Sequence, residues 1–258
     1  MSLPPIKQSV RASFDRAASS YDAAAGLQRQ VCARLLASFN APIHAPLDML
    51  DAGCGTGYGA RLLRQHWPTA RIAAADFAPA MLTLARQEAD FCLAADIETL
   101  PFAEQSFDVW WSNLTIQWCA ANHVFSEAAR VLRPAGHLAV STLGPATFHE
   151  LRTAFTGLDA YRHTLPFSEA DQVCQTLADA GFWHITCERE TLTVFYPDLK
   201  ALLRAVKAIG ANRVGTGARR GMMGRAAWQA LEAGYERQRT DAGLPASYDV
   251  IFCYAEKR

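Results

Sequence analysis

A chain of 258 residues, half of them apolar, is long enough to bury a substantial core as one α/β domain or two small ones. Lys plus Arg and Asp plus Glu stand at 25 each, which excludes a strong overall field of the kind that recruits nucleic acid or an anionic membrane surface without specificity. Seven cysteines without a Cys-x-x-Cys pair argue against a disulfide framework and a structural zinc site, so reduced thiols and no metal are expected. The N-terminus carries Lys7, Arg11, Asp15 and Arg16 where an export signal would be apolar, and no stretch approaches the ~18 apolar residues of a membrane span. A cytoplasmic protein follows as the expectation.

Residues 6–39 are Ala-rich, with Val10, Phe14, Ala17, Tyr21, Leu27, Val31 and Leu35 at helical spacing, which predicts two amphipathic helices. Leu47 to Ala52 reads as a short buried strand entering a glycine-rich turn. Helical spacing resumes over 59–67; strands follow at 71–76 and 91–96 with a helix at 79–88 between them. Strands at 108–112 and 137–143 flank a helix at 124–132. The last third predicts helices near 146–156, 169–180, 199–209 and 225–238 and strands at 184–196 and 248–255. Alternating elements imply a doubly wound sheet with helices on both faces. One domain is expected, with a helical cap over 1–45, a ligand-binding core over 46–143 and substrate-side elements over 144–258.

Asp51-Ala52-Gly53-Cys54-Gly55-Thr56-Gly57 sits where the first strand turns into its helix. In an open α/β sheet, ligands bind beyond the carboxyl ends of the strands, and glycines there allow close backbone approach. A dinucleotide is one candidate ligand, because Gly55 to Ala60 satisfies G-x-G-x-x-A and Asp76 follows about 20 residues on. In that frame, however, the first glycine should directly follow the strand, and that position is Gly53. The Asp-x-Gly-x-Gly-x-Gly order resembles motif I of class I methyltransferases. Asp76 can accept from both ribose hydroxyls of either ligand, or cap a helix.

Further blocks narrow the resemblance. Phe14-Asp15-Arg16-Ala17-Ala18 with Tyr21, Leu27-Gln28-Arg29-Gln30, Ser112-Asn113-Leu114 with Gln117-Trp118-Cys119, Arg130-Val131-Leu132-Arg133-Pro134, Thr142-Leu143 with Glu150-Leu151, and Lys207 with Ile209-Gly210-Ala211 resemble the malonyl-acyl carrier protein O-methyltransferases of biotin synthesis, the BioC family. The blocks cover nearly the whole chain. One departure is Pro134-Ala135-Gly136, where many relatives have Pro-Gly-Gly; alanine suits the position if φ stays negative.

The resemblance implies a Rossmann-like, seven-stranded, mostly parallel sheet with an antiparallel C-terminal strand and helical additions at the N-terminus and after the fifth strand. It implies S-adenosyl-L-methionine as cofactor and S-adenosyl-L-homocysteine as product. Asp51, Gly53, Gly55 and Gly57 would abut the methionine part, Asp76 the ribose and Asp96 the adenine amino group, with Met81 and Ile97 flanking the ring. Tyr21 would close near the sulfonium and Gln28 near the cofactor carboxylate; Asn113 and Gln117 would form the wall nearest the transferred methyl. The acceptor implied is the free carboxylate of a malonyl thioester on acyl carrier protein, or malonyl-coenzyme A. A carboxylate is ionised at neutral pH, so no general base is required. Arg152 and Lys207 are the candidate cations for holding it. Arg213, Arg219, Arg220 and Arg225, interleaved with glycines, are expected to dock the acidic carrier. The residues alone leave open a small free acid or a quinone carbon as acceptor, a cofactor-sensing protein without turnover, and a nicotinamide oxidoreductase.

Overall fold

The Ala-rich N-terminal segment forms two helices, α1 (Pro5–Ala24) and α2 (Gly26–Ala37). Pro5 opens α1 at the first helical position, where a missing N–H removes no hydrogen bond. The computed structural model, which describes residues 4–41, 47–211, 221 and 223–258, then alternates strand and helix. In order come β1 (Asp48–Ala52), α3 (Tyr58–His66), β2 (Arg71–Asp76), α4 (Pro79–Ala85), β3 (Phe91–Ala94), β4 (Phe107–Asn113), α5 (Ala121–Val131) and β5 (Leu132–Leu143). The remainder is α6 (His149–Phe155), α7 (Ala170–Asp179), β6 (Phe182–Tyr196), α8 (Leu199–Ala208), α9 (Arg225–Glu236) and β7 (Leu244–Lys257).

The seven strands lie in the order β3-β2-β1-β4-β5-β7-β6. All neighbours from β3 to β5 are parallel, and β7 runs antiparallel to both β5 and β6. From β1 the chain winds to β2 and β3 on one side and then returns to β4 and β5 on the other. The carboxyl ends of β1 and β4 therefore border the crevice where such sheets take ligands. Each central strand alternates its side chains between two apolar layers. Met49, Val109 and Trp111 face α2, α3, α8 and α9, whereas Leu50, Trp110, Leu138 and Val140 face α5 and α7. Trp110 and Trp111 are fully buried on opposite faces of β4, which explains why apolar residues follow one another without alternation at Val109-Trp110-Trp111.

Three expectations change. β5 begins at Leu132, which pairs with Phe107 of β4 ahead of a register shift, so the Pro-Ala-Gly segment is inside the strand. Ala135 there has φ of +58°, the left-handed region that costs a residue with a Cβ roughly 1–2 kcal/mol. The condition for a harmless alanine is not met. Finally, Cys174 of α7 and Cys187 of β6 are joined as a disulfide, and the Cys253 sulfur of β7 lies 2.8 Å from that of Cys187. Residues remote in sequence converge here through the α7–β6–β7 packing, which local spacing rules do not detect.

Candidate active site

The loop after β1 is held by backbone geometry that its glycines permit. Gly53, Gly55 and Gly57 have φ of +75°, +53° and +91°, and Gly57 caps α3 in that conformation. The Gly53 N–H donates to the Ala75 carbonyl at 2.7 Å, and the Thr115 hydroxyl donates to the Gly53 carbonyl at 3.1 Å. A Cβ at Gly53 would stand 2.2 Å from Thr115 Cγ2, so the position has no room for one. The loop is thereby fastened to the ends of both β2 and β4.

Asp76, at the end of β2, accepts from the Gly55 N–H at 2.9 Å and from the Ala78 N–H at 2.8 Å. It fixes the glycine loop and the start of α4 together. Burial pushes its carboxyl up to about 6 against those two stabilising N–H groups. Asp51 is 2 % exposed, and burial pushes its carboxyl up to about 7. Its Oδ2 and the Oε1 of Gln28 are buried without a partner among the described residues. Such acceptors suit a ligand that brings its own donors, such as an ammonium group or hydroxyls.

Two cavities meet above the strand ends. The first is lined by Tyr21, Gln28, Asp51, the Gly53–Thr56 loop, Asp76, Met81, Asp96, Ile97 and Asn113, among others. The second, of about 220 Å³, is mainly apolar, with Leu143, Phe148, Leu151, Leu202, Val206 and Tyr248 in its walls. Phe14, Tyr21, Gln28, Leu114 and Trp118 line both. The edge of Trp118 meets Phe14, with ring centroids 5.6 Å apart. Leu114 has φ of +49° and Phe148 φ of +56°, so two walls of the second cavity are held in a conformation that is strained for their residue types.

Most of the residues singled out by sequence converge on these cavities. Asn113 borders the first, with its Nδ2 donating to the Gln28 carbonyl at 3.1 Å and its Oδ1 accepting from Ser141 at 2.8 Å. Gln117 lines the second and donates to the Leu114 carbonyl at 2.6 Å. Asp96 is ion-paired to Lys7 at 2.6 Å.

The two candidate cations are elsewhere. Arg152 directs its guanidinium to the carbonyls of Pro145 and Thr147 and lines neither cavity; it braces the loop ahead of α6. Lys207 is exposed on α8, while Val206, Ile209 and Ala211 beside it line the second cavity. Gly210 in that block has φ of +74°, and a Cβ there would press 3.0 Å from Phe14, so the block docks α8 against α1. Of the basic segment, Arg213, Arg219 and Arg220 lie outside the described residues, and Arg225 is exposed at the start of α9.

Sequence reasoning quoted Thr56 and Arg29 within the glycine loop and the Gln28 block without giving them a role, and missed Lys7 and Asp22 in the first cavity and Phe148, His163 and Tyr248 in the second. Of those missed, only Lys7 and Asp22 left a legible trace, as polar residues on the face of α1 that carries Phe14.

Residues 50–140 match the family model described as "Methyltransferase domain". Over 98% of its length the chain is 47% identical to 95% of the malonyl-[acyl-carrier protein] O-methyltransferase of Dechloromonas aromatica. It is 39% identical, over 95% of its length, to 49% of the biotin biosynthesis bifunctional protein BioHC of Cellvibrio japonicus. Among solved structures, the YcgJ protein of Bacillus subtilis superposes with a TM-score of 0.61 at 15% identity, covering 89% of this chain and 98% of that one. That likeness bears on the fold. Among the described residues, no helix is long and apolar enough to cross a membrane. With a glycine loop, buried acids and paired cavities on a methyltransferase sheet, and with identity this high over nearly its whole length, the chain belongs to the malonyl-[acyl-carrier protein] O-methyltransferase family.

Proposed function

We propose that the chain transfers a methyl group from S-adenosyl-L-methionine to the free carboxylate of a malonyl group held as a thioester on acyl carrier protein, giving the methyl ester that primes pimeloyl synthesis for biotin. The first cavity takes the cofactor and the second the acceptor. One observation carries the acceptor class. Of the residues lining both cavities, only Tyr21 titrates, and burial together with Asp76 and Asp22 raises its phenol far above the usual range. No side chain shared by the two cavities is therefore a proton acceptor at neutral pH, which suits an acceptor that needs no general base. A carboxylate arrives already nucleophilic.

The cofactor, when bound, supplies a methyl group made electrophilic by its attachment to a positively charged sulfur. Asp51 and Gln28 would hold its amino-acid end with Arg29 nearby, Asp76 its ribose hydroxyls, and Asp96 its adenine amino group between Met81 and Ile97. Phe14, Leu114 and Trp118 exclude water from the junction, which weakens the solvation of the acceptor anion and favours a reaction that cancels opposite charges. Tyr21 keeps its proton and can donate its O–H to one carboxylate oxygen, leaving the other to attack. Asn113 and Gln117 position this wall through Gln28 and Leu114, and contribute by alignment. Arg225, exposed at the start of α9, would supply positive charge for an acidic carrier.

Mass spectrometry of malonyl-acyl carrier protein incubated with the chain and S-adenosyl-L-methionine tests the proposal. A gain of one methyl group on the malonyl carrier, and none on the acetyl carrier, is expected. Methylation of both, or of neither, contradicts it.

A further inference from the structure

Helix α1 crosses the cofactor cavity lengthwise. Lys7, Phe14, Tyr21 and Asp22 all line it, and 20 residues of helix extend about 30 Å. Three polar side chains about two turns apart tie one face of the helix to the sheet domain. Lys7 reaches Asp96 at 2.6 Å and Glu98 at 2.7 Å. Asp15 accepts from the Ala80 N–H at 3.1 Å, and Asp22 from the Thr56 hydroxyl at 2.7 Å. The Asp22 end continues into α2, whose Leu27, Val31 and Leu35 belong to the core. The Lys7 end is tied to the sheet domain by its ion pairs.

Those pairs are partly shielded, with side-chain exposures of 14 % for Lys7, 17 % for Asp96 and 13 % for Glu98. Burial works against the Lys7 charge, but the two carboxylates outweigh it and leave the ammonium more firmly protonated than usual. Glu98 also accepts from the Ala120 N–H at 2.8 Å, just beyond the turn that carries Trp118. Release of a ligand held beneath α1 would require one end of the helix to lift, and at the Lys7 end, beyond buried Val10 and Ser13, the last attachment is a set of separable charges.

We propose that Lys7, by bridging Asp96 and Glu98, is a positioning residue that clasps α1 over the adenine end of the cofactor site and so sets how fast cofactor and product exchange. The inference rests on the assignment of the first cavity to the cofactor. Removing one partner of a shielded charge pair acts mainly on dissociation, whereas an ordinary loss of fold stability would not spare binding kinetics in this selective way.

Stopped-flow tryptophan fluorescence of S-adenosyl-L-homocysteine binding and release tests it on the full chain. For K7M, dissociation about tenfold faster, with association changed by less than about threefold, is expected, because mutational effects on such sites fall mostly on the off-rate. K7R should restore most of the slow release. A K7M release rate equal to wild type with binding intact, or K7R as fast as K7M, would overturn the clasp alone. Failure of the wild-type chain to bind S-adenosyl-L-homocysteine would overturn the cofactor assignment and the clasp with it.

Discussion

The cavities proposed for cofactor and for acceptor share a wall but are made of different materials. The first is rich in ionisable groups, several of them buried, and two of its acceptors, Asp51 Oδ2 and Gln28 Oε1, lack partners among the described residues. The second is walled chiefly by Leu, Phe and Val, with polar contributions from Gln117, His163, Thr164 and Tyr248. Burying unpartnered polar atoms is costly, so on the proposed assignment the first cavity would gain specificity because the correct ligand relieves that cost. The second would select by shape and by exclusion of water, with an acceptor that brings its own charge. This division predicts that the two cavities can be damaged separately.

The largest effect is expected at Gly53. G53A places a methyl group against Thr115 and demands positive φ of an alanine, so affinity for S-adenosyl-L-homocysteine should fall at least about a hundredfold by calorimetry. Retained affinity would mean that the loop is not the cofactor cradle. Filling the other cavity with V206W should raise KM for the malonyl carrier about tenfold or more while changing S-adenosyl-L-homocysteine affinity by less than about twofold, as expected of separate sites. Equal damage to both would erase the distinction.

The raised carboxyls of Asp51 and Asp76 sharpen the comparison through pH. Their folded values, about 7 and about 6, exceed those of the unfolded chain, so the ligand-free fold binds protons that the unfolded chain has released. Stability from the neutral forms is present at low pH and is lost as pH rises through the interval from about 4 to 7. Ligand binding favours the ionised forms and has the opposite dependence. S-adenosyl-L-homocysteine affinity should therefore increase between pH 5.5 and 7.5, and D51N should weaken binding and flatten the upper part of that rise in a calorimetric pH series. A pH-independent affinity in the wild type would contradict the burial of these acids. The smallest effect lies outside both cavities: A135G removes left-handed strain and should raise unfolding stability by about 1 kcal/mol in urea titrations.

The same contrast explains what was legible in the sequence. Asp51, Gly53, Gly55, Gly57 and Asp76 belong to one continuous β-loop-α-β stretch, where backbone demands dictate residue type. The strand positions follow for the same reason, because apolar runs bounded by turn residues have few alternative structures. The acceptor cavity draws on α1, the β4 end, the segment after α6, α8 and β7, and no local pattern announces such convergence. Apolar residues such as Val206 and Phe148 look the same in a core as in a cavity wall. Cations suit a carboxylate, which singles out Arg152 and Lys207 in the sequence, yet Arg152 serves backbone carbonyls and Lys207 is exposed. The Ala135 strain and the Cys174–Cys187 link depend on register and packing, which composition does not encode.

Methyl transfer is proposed to occur where the side chains shared by the two cavities include no base, to an acceptor that is already ionised. The most direct measurement is the single-turnover rate of methyl transfer to malonyl-acyl carrier protein, with cofactor and acceptor both saturating, from pH 6.5 to 9. A rate constant that stays within about twofold across that range is expected when no proton is removed in the step. A rise of close to tenfold per pH unit, reporting a group that must lose its proton first, would contradict it.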